Sequence, residues 1–432
     1  MTSKIGEGLR GFAKTSQDGA RESINYYTKS GKDERRLIKA SFFMGVTGAV
    51  LWYILSLYWL ALGFTSVEIG IMGGIGSAVS VVTLFFSGFL ADKFGRKWLF
   101  LLGLAGDALG IILFLSEKNL VVFTIAYSVV NLSGSLVQPS LIALLATKAK
   151  PGRLKFLFGL QSFSNQIGLT LTTLTGIYAP GFLFDVYGTD LARGYWYVFL
   201  VAAACAFVPI MIVLTVTEPP KMKQRLLLSF DKRIKKILFV YSLQNALIGF
   251  GGAMAIPWIP MVFESGMNAS TTQVSLMLTL SNVAIAIGWF VIPKFSEAMG
   301  AVALVTICQI ASVAFLVLIP FSPYLVVAAV LYMFRSLLML VPTPILNAYV
   351  MNIVSEEIRA SFIAISQLAW TVAFSAAYAL SGYIWANDYS NVTPFFICGV
   401  FYTLASLVFF FHFRNIKETK GKKSVRTLKT WD

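Results

Sequence analysis

Residues Gly88–Lys97 read GFLADKFGRK, a run of glycines and charges set between two long apolar stretches. The pattern G-x-x-x-D-K-x-G-R-K predicts a ten-residue loop with a sharp reversal, because Gly88 and Gly95 permit tight turns and close helix approach. Asp92 falls at the end of the preceding apolar run, where a carboxylate favours the positive end of a neighbouring helix. Lys93, Arg96 and Lys97 then belong at a polar surface.

Outward from this loop the chain is apolar in both directions. Its 432 residues are 57% hydrophobic and 13% charged, with a mean hydropathy of +0.75. Soluble domains carry roughly 25% charged residues, so an ordinary globule is excluded. Twelve apolar runs are legible, at about 37–62, 68–91, 98–116, 120–146, 156–183, 195–216, 237–263, 272–293, 301–320, 324–350, 359–385 and 393–413. Each matches the ~20 residues that span a bilayer. Backbone polar groups in lipid must be satisfied within the segment, so the runs are expected to be helices.

The net charge of +15 would suggest a nucleic-acid partner in a soluble protein. Here the cations lie in short loops and tails, and nucleic acid is not expected. With both tails and alternate loops on one side, that side receives 32 of the 35 Lys and Arg. The positive-inside rule makes it the cytoplasmic side, and a multi-pass protein of the plasma membrane is expected. Cys205, Cys308 and Cys398 fall inside apolar runs and the only histidine is His412. Neither a disulfide framework nor a dedicated metal site is expected, and no cofactor is implied.

A basic segment, TEPPKMKQRLLLSFDKRIKK (217–236), divides the spans six and six. The expected organisation is a cytoplasmic tail (1–36), a six-helix bundle (37–216), a cytoplasmic linker (217–236), a second six-helix bundle (237–413) and a C-terminal tail (414–432). A repeat supports the cut. Tyr127 and Pro139 match Tyr332 and Pro344; Arg153 and Gln161 match Arg359 and Gln367; Gly176 matches Gly382. The offset is 205 residues before the loop that follows span 4 and 206 after it. Gly288–Gly300 is a degraded second copy of the opening loop that lacks its Asp and its Arg-Lys pair.

The loop at Gly88–Lys97, the twelve runs and the repeat together resemble the major facilitator superfamily of secondary transporters, over about Arg36 to Arg414. The resemblance implies an all-α fold of two pseudo-symmetric bundles with a cavity between them, lined by spans 1, 4, 7 and 10. It also implies that Gly88, Asp92, Lys93, Gly95, Arg96 and Lys97 form a gating motif. In such a motif an Asp92–Arg96 relay holds the cytoplasmic gate shut, while Lys97 serves as a topology anchor. The family default is a monomer.

Ionisable groups inside a span cost roughly 2.5–3.5 kcal/mol on insertion scales and need a reason. Arg335, eleven residues into span 10, offers a fork for carboxylates or phosphates; it is either a solute contact or half of a buried ion pair. Asp107 lies in GLAGDALG with Gly103 and Gly110 on one small-residue face, as a proton carrier or a structural group. Glu264 and Glu68 read as surface carboxylates at outer helix ends. Polar stripes bring forward Asn131 and Gln138 on span 4, Gln161 and Asn165 on span 5, and Asn245 on span 7. These wall the cavity or join helices by hydrogen bonds. Trp52, Tyr53, Trp258 and Trp370 could stack on a solute. Pro139, Pro180, Pro257, Pro260, Pro342 and Pro344 are expected to kink their spans.

No P-loop, nucleophile–His pair or metal triad is present in the sequence, so no enzyme is expected. The expected function is proton-coupled secondary transport of a small organic solute by alternating access. GIYAPG (176–181) loosely resembles a drug-antiporter motif and tilts the expectation toward export. The alternatives are proton-coupled uptake of an organic anion or sugar, which Arg335 favours, and a non-transporting sensor on the same fold.

Overall fold

A computed structural model describes residues 30–148, 154–217, 231–354, 359–414 and 416. Within these, the side chains at 85–94, 146, 154–156, 290–298, 348, 351–352 and 359–361 lie outside the description. The described residues form helical spans joined by short turns: α1 Lys32–Ala61, α2 Ser66–Phe94, α3 Arg96–Leu113, α4 Leu120–Lys148, α5 Leu154–Tyr187 and α6 Leu191–Leu214. After the linker come α7 Lys232–Gly266, α8 Thr271–Met299, α9 Ala301–Leu318, α10 in two pieces (Leu325–Leu340 and Thr343–Ile353), α11 Arg359–Trp385 and α12 Thr393–Phe413. Eleven of these are long and apolar enough to cross a membrane. The remaining one, α3, carries Arg96, Lys97 and Asp107 within its 18 residues.

The repeat is written in the helix boundaries. Ser66 and Thr271, Arg96 and Ala301, and Leu120 and Leu325 each begin a helix, and each pair stands 205 residues apart. Gly95 and Gly300 occupy the same place in the two halves, with φ of 92° and 80°. That left-handed conformation is one glycine adopts without steric cost. The reversal is therefore confined to one residue. The expected ten-residue loop is corrected: α2 stays helical through Asp92 and Lys93 to Phe94, and Gly88 lies within the helix rather than in a turn.

Two further expectations are adjusted. α1 starts at Lys32, inside the expected tail, because Asp33 and Glu34 suit the positive helix end and Glu34 accepts the Gly31 N–H at 2.8 Å. Pro139 and Pro180 are carried inside continuous helices, whereas α10 breaks at Val341–Pro342. The first helix of each half also departs from α geometry at matching depth, α1 in a π-turn at Val50–Ile54 and α7 in a 3-10 turn at Ile256–Trp258.

The halves meet through α2 against α11 and α5 against α8, which are repeat-related pairs. The contact is tight at the end away from the termini. A Cβ placed on Gly70 would come within 2.8 Å of Gly382 Cα, and one on Gly73 would enter the Tyr378 ring. Gly181 of α5 abuts Thr271 of α8 in the same way, and the Ser275 hydroxyl donates to the Leu174 carbonyl at 2.6 Å. Such small-residue contacts let helix backbones approach where lipid supplies no hydrophobic drive. The largest buried cluster, including Tyr58, Phe114, Phe199, Trp258, Phe263 and Trp385, packs this same end.

Candidate functional site: a buried guanidinium between the halves

Arg335 lies ten residues into α10, about 15 Å along it at 1.5 Å per residue. Only 4% of it is exposed. Its Nη2 donates to the Tyr402 hydroxyl of α12 at 3.2 Å, and the guanidinium sits 5.8 Å from that ring's centroid. Its Nε is buried without a hydrogen-bond partner among the described residues. Among the described residues no carboxylate pairs with it.

Residues from both halves stand within electrostatic reach. Tyr332 lies one turn earlier on α10, and Tyr53 sits in the π-turn of α1. The Tyr53 hydroxyl donates to Asn282 Oδ1 of α8 at 3.2 Å, so this hydrogen bond crosses from one half to the other beside Arg335. Asn282 Nδ2 is buried and unpartnered among the described residues, as is the hydroxyl of Ser336, which follows Arg335 on α10. Unpaired buried polar groups are costly, and this concentration of them makes the region between the halves the candidate site.

Among the described residues no hydrogen bond links the polar stripes to Arg335. Asn131 and Asn245 turn back on their own helices, donating at 2.9 Å to the carbonyls of Tyr127 and Tyr241. Asn165 ties α5 to α1 through the Ser41 carbonyl at 3.1 Å, where Gly45 and Gly168 already let the two backbones touch. Gln138 is exposed, and Gln161 is half-buried with Ser162 as its neighbour at 3.5 Å. Gln244 and Asn282 went unmarked by the sequence pattern. Gln244, which directly precedes Asn245 on α7, has no exposed surface, and both its amide atoms are buried without a partner among the described residues. Trp258 is packing, its indole donating to Ser381 at 2.9 Å, and Trp370 is stacked on Phe374 at 4.7 Å.

Asp107 sits on the α3 face where Gly103 and Gly110 pack against α4, as the spacing predicts. It forms no ion pair with Arg335, and no hydrogen bond holds its carboxylate among the described residues. Glu264 departs from the surface reading: it lies in a π-turn at the end of α7, and its Oε2 is buried without a partner among the described residues, near Tyr195 of α6.

Of the gating motif, the side chains of Gly88, Asp92 and Lys93 lie outside the described residues. Arg96 reaches the Ala143 carbonyl of α4 at 3.5 Å, and Lys97 donates to the Leu214 carbonyl of α6 at 2.9 Å. Beside them Asp33 pairs with Lys148 at 2.9 Å and accepts the Thr217 hydroxyl at 2.5 Å. This end of the N-terminal half is thereby closed on itself.

Two repeated six-helix halves around a buried polar centre define a membrane transporter fold. The family model of the Major Facilitator Superfamily matches residues 37–240 and again 241–430, and the chain belongs to that family. A curated relative, an uncharacterized MFS-type transporter YqjV of Bacillus subtilis (strain 168), is 27% identical over 155 residues. That match spans 32% of this chain and 38% of the relative's length. Among solved structures the chain is similar to a D-xylose-proton symporter, at a TM-score of 0.73 and 16% identity, covering 90% of this chain and 99% of that one. It is also similar to the nucleoside transporter NupG, at a TM-score of 0.66 and 15% identity, covering 89% and 99%. A bacterial homologue of the human lysosomal transporter Spinster gives 0.67 at 13% identity, covering 90% and 98%. These likenesses concern the fold.

Proposed function

We propose that this protein is a proton-coupled secondary transporter that moves a small organic anion across the plasma membrane by alternating access. Both termini face the cytoplasm, and the chain works as a monomer. The halves, 37–216 and 237–413, rock about the α2–α11 and α5–α8 contacts, with 217–236 as the tether. The observation that carries the reading is Arg335, a buried guanidinium with no carboxylate partner among the described residues and an unused Nε donor. An anionic solute supplies the missing charge, and Tyr53, Tyr332 and Asn282 contribute hydrogen bonds from both halves. Asp107, held by no hydrogen bond among the described residues, is the proton carrier in this reading, and Asp92 with Arg96 gates the cytoplasmic face. The named proton symport of the xylose structure supports coupling as a property of related folds.

Export of drug-like compounds is a second reading. It draws on GIYAPG, whose Gly181 abuts Thr271 where the halves meet. Titrating purified protein with organic anions, lipophilic cations and sugars, read by aromatic fluorescence, separates the two. The anion reading expects saturable binding of an anion that Arg335→Gln removes. Binding of cations alone, unchanged in Arg335→Gln, would overturn it.

A further inference from the structure

α1 is 30 residues long, about 45 Å at 1.5 Å per residue, against a hydrocarbon core of ~30 Å. With its far end level with the core, roughly its first ten residues project past the opposite boundary, so Lys39 falls near the edge of the hydrocarbon. Lys32, Arg35 and Lys39 are all exposed and share one helical face at i, i+3 and i+7. Arg36 is turned away, paired with Asp33 at 3.2 Å and bonded to the Thr215 carbonyl at 2.8 Å.

Lys39 opens onto a groove of about 390 Å³ formed by Ile38 and Phe42 of α1, Phe163 and Ile167 of α5, and Ile212 of α6. Phe163 and Ile167 are 49% and 38% exposed, so the wall is apolar and open. A lysine without a carboxylate partner among the described residues, at the mouth of an apolar groove and at the depth of a headgroup, matches the two parts of one molecule. We propose that this groove is a binding site for an anionic phospholipid, with Lys39 holding the phosphate and Phe42, Phe163 and Ile167 lying along an acyl chain. A free phosphate would leave the apolar wall unused, and a zwitterionic lipid would bring its own cation against Lys39. Basic pockets between spans on the positively charged side are where such headgroups bind.

Native mass spectrometry of the full chain in detergent, with equimolar phosphatidylglycerol and phosphatidylcholine, tests this. One retained phosphatidylglycerol is expected. Lys39→Gln should lower that adduct about five-fold, the effect of removing one cation near a membrane surface, while Lys39→Arg keeps it. Ile167→Trp, which fills the groove and leaves the charge, should lower it as well. Lys32→Gln, on the same face beyond the groove, should change it less than two-fold. The proposal is overturned if Lys39→Gln retains phosphatidylglycerol like the unmodified chain, or if Ile167→Trp does. Equal losses in Lys32→Gln and Lys39→Gln would also overturn it, because a diffuse positive face would then suffice. Equal retention of phosphatidylcholine would remove the headgroup argument. All of these positions are exposed, and a thermal melt of each variant confirms that the fold survives.

Discussion

Ser66 and Asn387 exchange hydrogen bonds across the two halves: the Ser66 N–H donates to Asn387 Oδ1 at 2.6 Å, and the Asn387 N–H donates to Ser66 Oγ at 2.8 Å. Asn387 sits at φ 66° in the turn after α11. Below this clasp Gly70 meets Gly382. Asn387→Gly keeps the backbone conformation and removes one bond, worth about 1 kcal/mol, and so shifts the far-end equilibrium toward open about five-fold. Gly382→Ala drives a Cβ into the Ser66 carbonyl and should shift it further, by roughly 1–3 kcal/mol. Distances between spin labels at Glu117 and Tyr324, exposed at the far end of each half, read both; an unchanged distribution in Gly382→Ala would contradict the clasp.

Arg335→Lys keeps the charge and loses the planar fork. If the solute is an anion held by the unused Nε edge, its affinity should fall at least about ten-fold, or 1.4 kcal/mol. The fold should hold, since among the described residues Arg335 makes one side-chain hydrogen bond, to Tyr402. Equilibrium binding of the anion together with a thermal melt separates the two effects.

Asp33 binds the first turn of α1 to Lys148 and Thr217. Asp33→Asn removes the ion pair and weakens the bond from Thr217. A loss of about 1–3 kcal/mol follows from the scale of hydrogen bonds to charged groups, read as a lower unfolding midpoint. Lys148→Met should lose nearly as much, and the double variant less than the sum.

Asp388, beside the clasp, accepts the Ser390 hydroxyl at 2.5 Å and its N–H at 3.0 Å. These bonds from Ser390 hold its carboxyl below the ordinary 3.8. A group whose folded-state value is depressed stabilises the fold above its unfolded value, and the contribution is lost as pH falls through the folded one. Protection of the Ser390 amide should therefore be constant from neutral pH to about pH 5 and decline below that. Asp388→Asn should show no such decline.

Much of the architecture was legible in the chain. Twelve apolar runs, the basic linker and the Tyr–Pro repeat led to two bundles, and Gly95 and Gly300 mark the same reversal in each. What periodicity could not convey was which polar residue faces a partner. Asn131 and Asn245 satisfy themselves on their own helices, whereas Gln244, one position away, is the buried amide. A stripe at i, i+4 locates a helix face only to within the ~100° between successive residues. The clasp was hidden for another reason: Ser66 and Asn387 lie 321 residues apart, and ordinary turn residues carry no mark of their partner. Glu264 looked exposed because a helix end usually is, but in the π-turn at Val262–Gly266 its Oε2 is buried, within electrostatic reach of Tyr195 of the other half.

In the proposed mechanism an anionic solute meets Arg335 and moves with protons. Proteoliposomes loaded with a pH-sensitive dye test it most directly when organic anions, lipophilic cations and sugars are added separately. A lumenal pH change driven by an organic anion is expected, absent in Arg335→Gln and uncoupled from protons in Asp107→Asn. A pH change driven by lipophilic cations that survives Arg335→Gln would contradict it and leave Arg335 a structural group.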